Sequence, residues 1–266
     1  MIPKIIHYCW FGRNPLPPLA LECIASWKKY LPDYEIKEWN EDNFDVNIIP
    51  YTAEAYKQKK YAFVSDYARF WIMYKYGGIY FDTDVEVIRP MDDIIAKGCF
   101  MGFEVDPDGE NTPGKYAPRY CFDVALGLGF GMEKEHPFIK KMMGYYACLE
   151  FKGAVMDPWF KTIVAYTTEK LIEEGLVNIK GIQRVGDIWV YPQEYFAPIN
   201  VITGRLHITN NTRTIHRYMG SWSASKVSVN GFGAKELLQV IRVYLPEWLL
   251  IVMNKIKRRK YMASKS

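Results

Sequence analysis

The 266-residue sequence predicts an α/β fold, a central sheet flanked by helices. Three observations carry that expectation. The chain opens strand, helix, strand, an order that favours parallel pairing. A long apolar helical pattern at 61–76 runs into a glycine pair and then directly into an aromatic strand. Short β-like runs and helical patterns then alternate to residue 217.

Taken in order, KIIHYC (4–9) reads as the first strand and GRNPLPP as a loop, because its glycine and prolines resist regular structure. LALECIASWKKY (19–30) has apolar groups at helical spacing, and PDYEIKEWN reads as a second strand. YAFVSDYARFWIMYKY (61–76) predicts a strongly apolar helix, which Gly77 and Gly78 should end by supplying a left-handed cap. IYF (79–81) is a strand, and VEVI and GCFMGFEV are further β-like runs. Residues 105–120, rich in Gly, Pro and Asp, read as a mobile, functional connection. Helices are expected at 135–149 and 158–174, and strands at 188–191 and 213–217.

Composition fits one globular domain, with 49% apolar and 24% charged residues, and argues against disorder. Aromatic residues reach 16%, and flat rings with a polar edge suit sugars and bases. Five cysteines without a CxxC pair indicate neither a disulfide framework nor a thiolate zinc site, so a reducing, cytoplasmic setting is expected. The apolar start is short and interrupted by His7, unlike a secretory leader.

The net charge of +4 is unevenly placed. From Lys235 onward eight basic residues face two acidic ones, which leaves the preceding chain at −2. We therefore divide the sequence into a main domain, 1–233, and a basic amphipathic helical tail, 234–266. The tail's longest apolar run is too short to span a bilayer, and its KRRK cluster suits peripheral attachment to an anionic membrane surface. It equally suits a helix packed on the domain. Nucleic acid is a poor partner, because basic residues are not spread along the chain.

Asp82 and Asp84 close the aromatic strand, at the sheet edge where ligands bind in open α/β folds. Two carboxylates one residue apart repel unless a cation lies between them. Mn²⁺ or Mg²⁺ takes oxygen ligands and commonly bridges carboxylates to substrate phosphates. Asp66 and Arg69 share one helix face and interrupt an apolar pattern; they either pair internally or hold sugar hydroxyls and phosphate. His216, just after a β-like run, is a candidate third metal ligand, and Gly220, Ser221 and Trp222 offer a backbone N–H, a hydroxyl and an indole N–H to a leaving diphosphate.

Together IPKIIHYCWFG, SDYARFWIMYKYGGIYFDTDVE and IHRYMGSW resemble glycosyltransferase family 32, the DXD-containing sugar transferases. The resemblance implies a GT-A fold, a nucleotide-sugar donor, a divalent metal, and transfer of a hexose with retention. It places Trp10 near the donor base, Asp66 and Arg69 on the donor sugar, Asp82 and Asp84 on ribose and metal, Ser221 and Trp222 on the diphosphate, and His216 on the metal. Where relatives often carry Asn residues before the acceptor-side helix, this chain has DVALGLGFGMEKEHPF, and their Thr-Gly-Pro loop is replaced by MDPW. A UDP-hexose is the first expected donor and GDP-mannose the second. The expected acceptor is a lipid-linked or oligosaccharide chain in capsular or surface polysaccharide synthesis. Two other classes compete. A phosphodiester or pyrophosphate hydrolase would need a second metal cluster beside the first. A non-catalytic sugar-binding module would have no reason to keep Asp66, Arg69, Asp82, Asp84 and His216 together.

Overall fold

The computed structural model describes residues 1–107, 109, 122–153, 162–199 and 205–219. The expected domain boundary, Ser221, Trp222, the tail and most of the 105–120 connection lie outside the described residues.

The strands are β1 (Ile5–Cys9), β2 (Glu35–Trp39), β3 (Gly78–Tyr80), β4 (Val85–Val87), β5 (Phe100–Val105), β6 (Asp123–Val124), β7 (Phe130–Met132), β8 (Gln183–Val185), β9 (Ile188–Tyr191) and β10 (Thr214–His216). The helices are α1 (Pro18–Tyr30), α2 (Pro50–Lys57), α3 (Tyr61–Tyr76), α4 (Asp92–Ile95), α5 (Pro137–Ala147), α6 (Ile163–Glu173) and α7 (Gln193–Phe196).

The main sheet has the order β2-β1-β3-β7-β5-β9-β8, with β6 added on β5, while β4 and β10 form a separate ribbon. The opening expectation of parallel strands holds for β2, β1 and β3. Beyond them the sheet is mixed: β7 runs antiparallel to both β3 and β5, and β9 returns parallel to β5. Strands β1, β3, β5 and β9 therefore point the same way. Their C-terminal ends, at Trp10, Asp82, Glu104 and Tyr191, line one sheet edge.

Helices cover both faces, and aromatic residues fill the two cores. On one face α3 and α5 bury Phe70, Met73, Phe138 and Tyr146 against Tyr80 and Phe130. On the other, Trp27 of α1 is fully buried, its ring 5.3 Å from Phe81. Its indole N–H donates to the Val85 carbonyl at 2.7 Å, and the Ser26 hydroxyl accepts from the Val87 N–H at 2.9 Å. Helix α1 thus satisfies backbone groups of β4, the strand that leaves the aspartate pair.

The end of α3 differs from the left-handed cap. The Gly77 N–H still bonds to the Met73 carbonyl at 2.9 Å, but the residue has φ 63° and ψ −162°, a region essentially restricted to glycine. Gly78, at φ 105°, brings β3 so close to β1 that a Cβ would lie 2.5 Å from the Ile5 carbonyl oxygen. The pair is required by close approach as well as by conformation.

His7 is buried beneath this turn. Trp39 Nε1–H donates to its Nδ1 at 3.0 Å, and its Nε2 lies 2.9 Å from the Gly77 carbonyl oxygen, so Nε2 is the donor there. Only the neutral ring with its proton on Nε2 satisfies both. Burial, aided by the charge of Lys37 and opposed by the Gly77 bond, pushes its pKa down to about 4.

Candidate active site

The two aspartates converge because the chain turns immediately after β3. Phe81 N–H donates to the His7 carbonyl, extending the β1–β3 pairing by one bond, and Val85 N–H donates back to the Asp82 carbonyl at 3.1 Å. That bond closes a four-residue turn over 82–85. In a continuing strand residues i and i+2 would share a face but stand about 6.5–7 Å apart along it, and the turn changes that spacing and direction. Here a carboxylate oxygen of each, with a ring nitrogen of His216, lies within a set whose members are all within 4.8 Å of one another.

His216 arrives from 132 residues away by register: β10 pairs antiparallel with β4, and His216 stands opposite Val85. Its Nε2 is 3.1 Å from Asp84 Oδ1, while Met219 N–H donates to Asp84 Oδ2 at 2.8 Å. Burial opposes charge on Asp84, yet the hydrogen bonds from His216 and Met219 hold its carboxyl below the usual range. Burial likewise opposes charge on His216, and the hydrogen bond and charge of Asp84 outweigh it, raising the imidazole. His216 Nδ1 is buried with no hydrogen-bond partner. The trio of two carboxylates and one imidazole fits a divalent cation of the Mn²⁺ or Mg²⁺ type.

Asp66 and Arg69 stand behind this trio. Arg69 Nε donates to the Ser65 carbonyl at 3.1 Å, Nη2 lies 3.3 Å from Asp66 Oδ1, and Nη1 lies 3.3 Å from Asp82 Oδ1. The guanidinium also lies over the Tyr80 ring, 4.8 Å from its centroid, and the Tyr80 hydroxyl donates to Asp82 Oδ1 at 3.2 Å. Asp66 and Arg69 thus form an internal ion pair, and the same arginine also reaches Asp82. Burial works against the Arg69 charge but is outweighed, first by Asp82, so the group is held above its ordinary value. Burial dominates at Asp66, whose carboxyl rises to about 7 despite Arg69. Side-chain exposure rises from 5% at Arg69 to 31% at Asp82, which makes Asp82 the outward member of the group.

Trp10 follows β1 on the same sheet edge, half-buried, with its backbone N–H bonded to the Trp39 carbonyl and its indole N–H to the Asn14 carbonyl at 2.6 Å. Ser221 and Trp222 lie outside the described residues, so their expected place at the diphosphate is not part of this geometry.

Two residues of the site were not read from the sequence. Gly127 accepts from the Asp82 N–H at 3.2 Å through its carbonyl, and a Cβ on it would sit 2.2 Å from Asp82 Oδ2. It belongs to the LGLGFG stretch, residues 126–131. Glu104, half-buried near the end of β5, feels the charges of His216, Asp123 and Asp82. A glutamate near a strand end has no distinguishing sequence signal.

A second group, Cys99, His136 and Asp187, could also bring three ligand atoms together. It stands before β5 and β9, at the opposite sheet edge, so it cannot form a two-metal centre with the first. His136 Nδ1 accepts from the Phe138 N–H at 3.2 Å, which leaves the ring proton on Nε2, 3.0 Å from Asp187 Oδ1. The group is satisfied as a hydrogen-bonded helix start.

Residues 17–101 match the sequence family described as a glycosyltransferase sugar-binding region containing DXD motif. A protein of Acanthamoeba polyphaga mimivirus, named as uncharacterized glycosyltransferase L373, is 33% identical over 208 residues, 76% of this chain and 75% of its own length. The chain belongs to the DXD-containing glycosyltransferase family. This DXD glycosyltransferase is also similar to two fungal proteins. Inositol phosphoceramide mannosyltransferase 1 of Schizosaccharomyces pombe is 27% identical over 41% of this chain and 36% of its own length. The initiation-specific alpha-1,6-mannosyltransferase of Candida albicans is 27% identical over 53% and 41%. The matches thus span well under half the length of these fungal relatives. Among solved structures, the PaToxG glycosyltransferase is similar with a TM-score of 0.46 at 18% identity, over 65% of this chain and 70% of that one.

Proposed function

We propose that this DXD glycosyltransferase transfers a hexosyl group from a nucleotide diphosphate sugar to a hydroxyl of a saccharide or lipid-linked acceptor. The observation that carries the reading is the convergence of Asp82, Asp84 and His216 at the C-terminal edge of the sheet, backed by a buried arginine. In this reading the trio holds Mn²⁺ or Mg²⁺. Such an ion supplies charge neutralisation for a departing diphosphate.

The chain's own residues do the rest. Arg69 fixes Asp82 in one rotamer, Asp66 receives hydrogen bonds from donor sugar hydroxyls, and Trp10 stacks beside the base. Ser221 and Trp222 keep their expected role as diphosphate donors. Fungal relatives named for mannosyl transfer bring GDP-mannose forward as the first donor to test, ahead of the UDP-hexose favoured by the sequence reading. Service in surface polysaccharide synthesis and peripheral membrane attachment through residues 234–266 belong to the same proposal. No helix among the described residues is long and apolar enough to cross a membrane.

The experiment is a panel of nucleotide sugars incubated with Mn²⁺ and the full chain, read as release of nucleoside diphosphate. Metal-dependent release from one or a few donors supports the proposal. Release from none, or equal release after chelation, contradicts it.

A further inference from the structure

We infer that Glu86 and Arg217 form a latch that sets the register of the β4–β10 ribbon and so positions His216 for the metal. The inference rests on the metal-site reading proposed above and adds two positioning residues to it.

His216 depends on a short pairing. The ribbon is separate from the main sheet and sets Thr214 opposite Val87, Ile215 opposite Glu86 and His216 opposite Val85. The Ile88 N–H donates to the Arg213 carbonyl at 2.8 Å and the Arg217 N–H to the Asp84 carbonyl at 2.9 Å, which extends the pairing by one residue at each end. Trp27 and Ser26 of α1 hold β4 from behind, so the register is decided by where β10 settles on it. A slip of one residue would turn His216 to the other face and carry its imidazole away from Asp84. On β10 the neighbours Thr214 and Ile215 are both buried, so no alternation of polar and apolar side chains chooses between pairings one residue apart.

A charged pair supplies that choice. Arg217, next to His216, donates from Nε to Glu86 Oε2 at 2.8 Å and from Nη2 to the same oxygen. Glu86 lies two residues beyond Asp84, so the guanidinium spans the ribbon diagonally, at a spacing that long side chains bridge across an antiparallel pair. At the far end of the ribbon Arg213 grips Asp93, with Nε 3.3 Å from Oδ1 and Nη2 2.8 Å from Oδ2. The Arg217 and Glu86 side chains stay 37% and 32% exposed, so the link adds little to stability. Its effect is on geometry. A one-residue slip would shift Arg217 by about 3.3 Å along β4 and turn it to the opposite face, which breaks the link together with the contact between His216 and Asp84.

The test is Mn²⁺ alone, titrated into the full chain and read as loss of the free ion's EPR signal. Glu86→Met and Arg217→Met should each weaken Mn²⁺ binding by about tenfold, the lower end of the range for residues that orient metal ligands. The double variant should lose no more than either single one, because the same link is removed in all three. A role through charge alone gives another pattern: the freed Arg217 cation would weaken binding in Glu86→Met, and the freed Glu86 carboxylate would tighten it in Arg217→Met. Arg217→Lys keeps a charged donor at similar reach and should lose less than about threefold. The Tm of every variant should stay within about 4 °C of wild type, as expected for an exposed pair. Tightened binding in Arg217→Met, unchanged binding in both single variants, additive losses in the double variant, or a larger drop in Tm overturns the inference while leaving the metal reading intact. A wild type that binds no Mn²⁺ overturns both.

Discussion

Arg69 reaches Asp82 at 3.3 Å from inside the protein, joining the helix that carries Asp66 to the strand end that carries the aspartate pair. The guanidinium is almost fully buried, so its charge is tolerated only because two carboxylates and a carbonyl receive its donors. Geometry of the site and stability of the fold are thereby coupled through one side chain.

Removing that side chain should show both effects. Arg69→Ala leaves Asp66 and Asp82 without their shared cation, and breaking a buried pair this way costs about 3–5 kcal/mol. Urea unfolding should report that loss. Arg69→Lys keeps the charge but not the three-way fork, so it should recover part of the stability and little of the activity. Full activity in Arg69→Lys would show that the fork does not position Asp82.

Gly127→Ala probes the same carboxylate from the other side. The new methyl would lie 2.2 Å from Asp82 Oδ2, and that side chain is already fixed by Arg69 and Tyr80. The expected cost is about 1–3 kcal/mol, with weakened Mn²⁺-dependent nucleotide binding measured by titration calorimetry. Binding equal to wild type would mean that Asp82 moves aside without consequence.

His7 makes stability depend on pH. In the fold its pKa is depressed from 6.5 to about 4, so the unfolded chain binds the proton more tightly. The stabilising effect of the neutral ring is complete above pH 6.5 and is lost as pH falls towards 4. The total is about 3 kcal/mol for a shift of this size. Denaturant unfolding of wild type and His7→Gln between pH 7.5 and 4 isolates the effect, because other titrating groups are common to both. The stability gap should shrink on acidification by about that amount; a constant gap would contradict the assignment.

Much of this was legible in the sequence for identifiable reasons. Helix α3 runs from Tyr61 to Tyr76 as predicted, because a strong apolar pattern ends at two glycines. Strand β7 was not read: three residues, one of them Gly131, pair because β3 and β5 flank them, a tertiary cause with no local trace. Helix α2 was also missed, being eight residues long with Pro50 at its start and only three buried positions. Within the site, Asp82 and Asp84 announce themselves by repulsion that needs a cation. His216 joins them only through the β4–β10 register. Gly127 and Glu104 were illegible because their importance lies in what packs beside them.

Nucleotide binding with and without metal tests the central claim most directly. Titration of GDP and UDP into wild type, Asp84→Asn and His216→Gln, each with Mn²⁺ and with chelator, reads the trio itself. The account expects Mn²⁺ to tighten nucleotide binding in wild type by at least about tenfold, roughly 1.4 kcal/mol, and to do so far less in either variant. Equal affinity with and without Mn²⁺ in the wild type, or an undiminished metal effect in Asp84→Asn, would contradict it.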